Sequence, residues 1–136
     1  MSNLSAEWLK AAFSDIVVMD SIVGNDLITH MTAFHSQQCI EKSLKAILEY
    51  HGITIPRKHD ILLINELVSE YILIADENML DKINALYTDS RYPGDIGLLP
   101  YGKPTLKDAK EFYEFAQDIF NQVCTLLNID PEEIKK

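Results

Sequence analysis

Phe112, Ala116, Ile119, Val123 and Leu127 recur at steps of three and four, with Phe120 beside them. A stripe of that period covers one face of a helix and cannot be laid on a strand, whose side chains alternate by two. "TLKD" opens the helix as a capping box with Asp in the place of the usual Glu, and the pattern continues to about Asn128. A helix with one apolar face needs a covering surface, so the rest of the chain must supply it.

It does so mainly with further helices. Trp8, Ala12, Ile16, Met19 and Val23 set a helix over about 6–23, with Ser5 as the expected N-cap and "GND" as its end. A second runs from about Thr29 to His51 and stops at Gly52, where a left-handed cap is favoured. Pro56 keeps "ITIPRKH" extended, and Asp60 is placed to cap a third helix over about 61–71, apolar nearly all round and therefore expected at the centre. "YILIA" reads as helix end plus buried connector. A fourth helix spans about 77–89. "SRYPGDIGLLPYGKP" then holds three glycines and three prolines in fifteen residues, a loop long enough to suggest a use. "DPEEIKK", from about residue 129, reads as a polar tail. Five helices without a confident strand predict an all-α fold, an up-and-down antiparallel bundle in a single domain over 1–136.

A chain of 136 residues can build such a core without disulfides or metal. Cys39 and Cys124 lie in predicted helices without metal-ligand spacing and are expected as reduced core thiols. No metal or cofactor is implied. A net charge of −9 argues against nonspecific adhesion to nucleic acid, and the absence of a signal segment or membrane span points to a cytoplasmic protein. Asp15, Asp20 and Asp26 are unevenly spaced and are expected in solvent.

The second helix is the exception to simple amphipathicity. Ala33, Ile40, Leu44, Ile47 and Leu48 share one side, with Gln37 among them and Glu41 at the edge. A carboxylate there is costly unless it is paired. Arg91 and His59 are the candidate partners from irregular segments, and the guanidinium has the better chemistry because it stays charged and can bond both oxygens. Gln37, Gln38, Glu41 and Asp60 would then form a polar clamp, either purely structural or holding Arg91, Tyr92, Lys42, Lys45 and His59 toward a phosphate or base. His35, Cys39, Ser43, Ala46 and Tyr50 make a second stripe, suited to another helix or another subunit.

"WLKAAFSDI", "AFHSQQCIEKSLKAIL", "PRKHDI", "LYTDSRYPGD" and "DAKEFYEFAQDIFNQV", in that order, resemble a HEPN domain (higher eukaryotes and prokaryotes nucleotide-binding) over about 6–127. The resemblance implies a helical bundle, usually a homodimer. In prokaryotes it is often paired with a minimal nucleotidyltransferase as toxin and antitoxin. Gln38, Glu41 and Lys42 match the family's "QxxEK", His59 and Asp60 its "HD", and Arg91 its arginine. Some members are metal-independent ribonucleases that use an Arg and a His four to six residues apart. That motif is incomplete here, because no histidine follows His59. Cleavage of RNA without metal needs an acid and a base as well as a cation, so Arg91 alone is insufficient and His59 or His35 would have to help.

The expectation is therefore a nucleotide-binding or interaction module, a dimeric partner of a nucleotidyltransferase, leaning away from an enzyme. The alternatives are a ribonuclease toxin with RNA as substrate, and a purely structural helical protein.

Overall fold

The computed structural model describes residues 4–90 and 103–135. The expected bundle forms: α1 (Leu4–Ile22), α2 (Thr29–Tyr50), α3 (Ile61–Leu67), α4 (Glu77–Ser90), α5 (Leu106–Leu126) and α6 (Pro131–Ile134), with one 3-10 turn at Asp26–Ile28 before α2. There is no strand among the described residues. No described helix is long and apolar enough to cross a membrane.

The central helix is α2, not α3. It packs against α1, α3, α4 and α5, and Ile40, Leu44, Ile47 and Leu48 are fully buried along it. Its second stripe is covered as well: Cys39, Ser43 and Ala46 are fully buried, and the Cys39 thiol lies 3.9 Å from the Ala116 carbonyl oxygen of α5. Small side chains let the two backbones approach closely. Ser36 and Ser43 lose no hydrogen bond there, because each donates to a carbonyl of its own helix, Ala33 and Cys39, at 2.7 Å. The middle of this stripe is thus a seam within one chain rather than a surface for a second subunit.

Helix ends follow local chemistry. α2 stops at Gly52, whose φ is +68°. Gly52 N–H donates to Glu49 and Ile53 N–H to Leu48, the paired bonds of a Schellman cap. Asn128, φ 56°, ends α5 in the same way. Asp60 caps α3 by accepting from the Leu62 and Leu63 N–H groups. The capping box of α5 is complete: Thr105 Oγ1 accepts from Asp108 N–H at 3.0 Å and the Asp108 carboxylate from Thr105 N–H at 3.2 Å.

Four expectations need correction. Ser5 lies inside α1 and is buried instead of capping it. α3 ends at Leu67, four residues early, and the turn that follows, in which the Tyr71 and Ile72 N–H groups both donate to the Val68 carbonyl, sets Tyr71 on His51 with rings 3.8 Å apart and 10° from parallel. The connector is only partly buried, since Ile74 is 4 % exposed but Leu73 82 %. The expected polar tail forms α6, with Asp130 as N-cap and Pro131 in the first turn. Ile134 is its buried anchor, in the shared apolar core.

Candidate functional site

Glu41 lies on the inner side of α2, only 3 % exposed. Lys45, one turn later on the same helix, places Nζ 3.0 Å from Oε2. His59, from the extended segment before α3, places Nδ1 3.0 Å from Oε1 and 3.2 Å from Oε2. Gln37 Nε2 donates to Glu41 Oε1 at 3.2 Å and to the His59 carbonyl at 2.7 Å, and Gln38 Nε2 donates to Gln37 Oε1 at 2.7 Å. An ammonium and several hydrogen bonds therefore compensate the desolvated carboxylate. The same bonds pin backbone and ring of His59 to α2, while its side chain stays 56 % exposed.

Among the described residues, Glu41 is partnered by Lys45, His59 and Gln37. His59, one of the two candidates named from sequence, makes the contact. Arg91 and Tyr92 lie outside the described residues. Lys45 points inward, 6 % exposed, with Nζ 5.4 Å from the centre of the Trp8 ring. That cation–π contact and the ion pair occupy it, so it is not placed to meet a ligand. Asp60 caps α3 and contributes no side chain to the clamp.

A second ionic cluster lies further along the seam of α1 and α2. Asp15 is buried, not solvated, at 5 % exposure. Its Oδ1 meets His35 Nδ1 at 2.8 Å and its Oδ2 meets Lys42 Nζ at 2.9 Å. The sequence signal was available: Asp15 follows Ala12 by three and precedes Met19 by four, on the inward stripe of α1. Lys42, with its side chain 25 % exposed, is the more accessible of the two lysines. Burial, helped by Asp15, pushes the Cys39 thiol far up and leaves it inert. Burial and the Asp130 charge raise Cys124 to about 11. Both cysteines are free thiols.

Asp20 and Asp26 remain at the surface. Asp20 accepts a hydrogen bond from Tyr113. Burial and then that bond raise the phenol to about 12. The segment returning from the long loop is fastened to the start of α2, because Thr29 Oγ1 donates to the Pro104 carbonyl at 2.6 Å and Lys103 Nζ to the Asp26 carbonyl at 2.7 Å. The described residues contain no group of three or more His, Cys, Asp or Glu arranged for a metal ion.

These features define a helical bundle built around one nearly buried helix, α2, which carries one compensated carboxylate, Glu41, and supplies the partners of a second, Asp15 of α1. Residues 5–127 match the HEPN domain family, and the chain belongs to it. The fold is similar to the crystal structure of TT1696 from Thermus thermophilus, with a TM-score of 0.74, 22 % identity, and 92 % of this chain and 99 % of that one covered. It is also similar to ST0689, described as an archaeal HEPN homologue, with a TM-score of 0.61, 27 % identity, and 90 % and 96 % covered. No curated protein is significantly similar in sequence.

Proposed function

We propose that this HEPN domain is a nucleotide-binding and interaction module, acting as a dimer and as the partner of a minimal nucleotidyltransferase in a toxin–antitoxin-like pair. The observation that carries the reading is the fixed, half-exposed imidazole of His59, held on a buried carboxylate beside the basic pair Arg57 and Lys58. A rigid ring next to cations is suited to a base and its phosphate, and little ordering remains to be done on binding. Arg91 and Tyr92 from the Gly/Pro-rich loop, and Lys42 on α2, complete the proposed ligand set. Titration of the pure protein with ATP and GTP, compared with Arg91→Ala and His59→Ala, tests it. Saturable binding lost in both variants supports the reading. No binding at millimolar nucleotide, and no nucleotidyltransferase in affinity purifications, refutes it.

A second reading, a metal-independent ribonuclease toxin, draws support from the Asp15–His35–Lys42 geometry. A carboxylate on Nδ1 orients the imidazole for proton transfer, and an ammonium stands nearby. Against it stands the incomplete Arg–His motif. Expression without an antitoxin discriminates the two. Unimpaired growth and intact RNA at high protein concentration would leave the binding module.

A further inference from the structure

A groove of about 570 Å³ runs between the connector after α3 and the last turns of α5. Leu73 lines it on one side and Leu126 on the other, 82 % and 40 % exposed. The connector has little freedom to hide its leucine. Tyr71 stacks on His51, the Tyr71 and Ile72 N–H groups are bonded to the Val68 carbonyl, and Ile74 is buried in the core, so Leu73 is held outward between fixed neighbours. An exposed leucine on a fixed segment, facing a second across a groove, marks a surface for a partner's apolar side chain. Asn121 and Gln122, on the α5 wall, offer amide groups to a polypeptide backbone.

We propose that this groove docks a segment of a partner protein in which one or two large apolar residues are flanked by lysine or arginine. Charge decides the occupant. Residues 66–81, which include the connector, hold five carboxylates, and residues 111–126 of α5 hold three, with no lysine or arginine in either stretch. Asp118 stands in the groove itself. Such walls draw a basic segment and repel the phosphates of RNA or DNA. They also disfavour a second copy of this chain on a two-fold axis, because an isologous contact would set the acidic walls against each other. The apolar anchor supplies affinity, and the flanking cations supply orientation and speed of encounter.

The inference goes beyond the proposed function, which assigns no docking face, and its test uses neither nucleotide nor a nucleotidyltransferase, so the two readings fail separately. The probe is a fluorescent peptide with a central Leu-Leu pair and three lysines on each side, followed by anisotropy against the full chain. Saturable binding in the micromolar range is expected. It should weaken about fivefold or more in Leu73→Ser and in Asp118→Asn, with unchanged far-ultraviolet dichroism. Asp26→Asn, which removes a carboxylate at the turn before α2, should leave it within about twofold. No saturation at hundreds of micromolar overturns the proposal, as does binding that is indifferent to Leu73→Ser or weakened equally by Asp26→Asn, which would be attraction to bulk charge. A change of oligomeric state in Leu73→Ser, read by sedimentation velocity, overturns it in favour of a second copy. Magnetic resonance of the unsubstituted protein gives an independent reading. The peptide should shift the amides of 71–73 and 118–126, and shifts confined to other segments overturn the assignment.

Discussion

Replacing Glu41 by alanine strands the Lys45 ammonium inside the bundle. Lys45 is 6 % exposed and the carboxylate it loses 3 %, so neither side chain can simply turn to water. Leaving one member of a buried pair uncompensated costs about 3–5 kcal/mol. The Trp8 ring, 5.4 Å from Nζ, offsets a part of that. At about 3.5 °C per kcal/mol for a chain of this length, the midpoint of thermal unfolding should fall by about 10–15 °C. Calorimetry measures the shift, and urea unfolding with an unchanged m-value shows that stability rather than compactness has changed. The double variant Glu41→Leu, Lys45→Met removes both charges and should return to within about 2 kcal/mol of the parent, because a buried pair recovers little beyond its own desolvation. A single variant that melts within about 3 °C of the parent would mean that Lys45 is not left uncompensated when Glu41 is removed. So would a double variant no better than the single.

Three further outcomes follow from the same chemistry. Asp15→Ala should destabilise by about 2–4 kcal/mol, since it strips the counter-charge from Lys42 and the ring partner from His35; the cost is below that at Glu41 because Lys42 reaches solvent more readily, and denaturant titration measures it. Burial pushes the Asp108 carboxyl up, but hydrogen bonds from Thr105 and Lys82 hold it below its usual range on balance, so its stabilisation is present above the unfolded-state value and lost as pH falls through the folded one. Asp108→Asn should therefore cost about 1 kcal/mol at neutral pH, a difference that shrinks below about pH 4 in thermal melts. Tyr113, raised to about 12, favours the folded state below the unfolded phenol's pKa, a contribution lost as pH rises through the folded value. Ultraviolet titration should show its late phase move down in Asp20→Asn.

The long helices were legible because their burial is periodic, and α5 appears with its capping box and stripe where the residues place them. α6 was not, because four residues with one apolar side chain, Ile134, have no period to read; only docking on the bundle makes that turn a helix. For the site, Glu41 demanded a partner, and His59 was one of two candidates. The inward turn of Lys45 was missed although its spacing of four from Glu41 is visible. A lysine stem packs against apolar surface or extends to water with equal ease, and the Trp8 ring that decides the matter is remote in sequence. Asp15 was misplaced because its partners His35 and Lys42 come from another helix.

In the proposed function, α2 holds the His59 segment ready for a nucleotide. Heteronuclear magnetic resonance during ATP titration tests it most directly. The His59 ring and the amides of 53–61 other than Pro56 are expected to shift saturably, while the Ile40 and Leu44 amides beneath the clamp stay unchanged. Shifts confined to another face of the bundle, or none at saturating nucleotide, would contradict it.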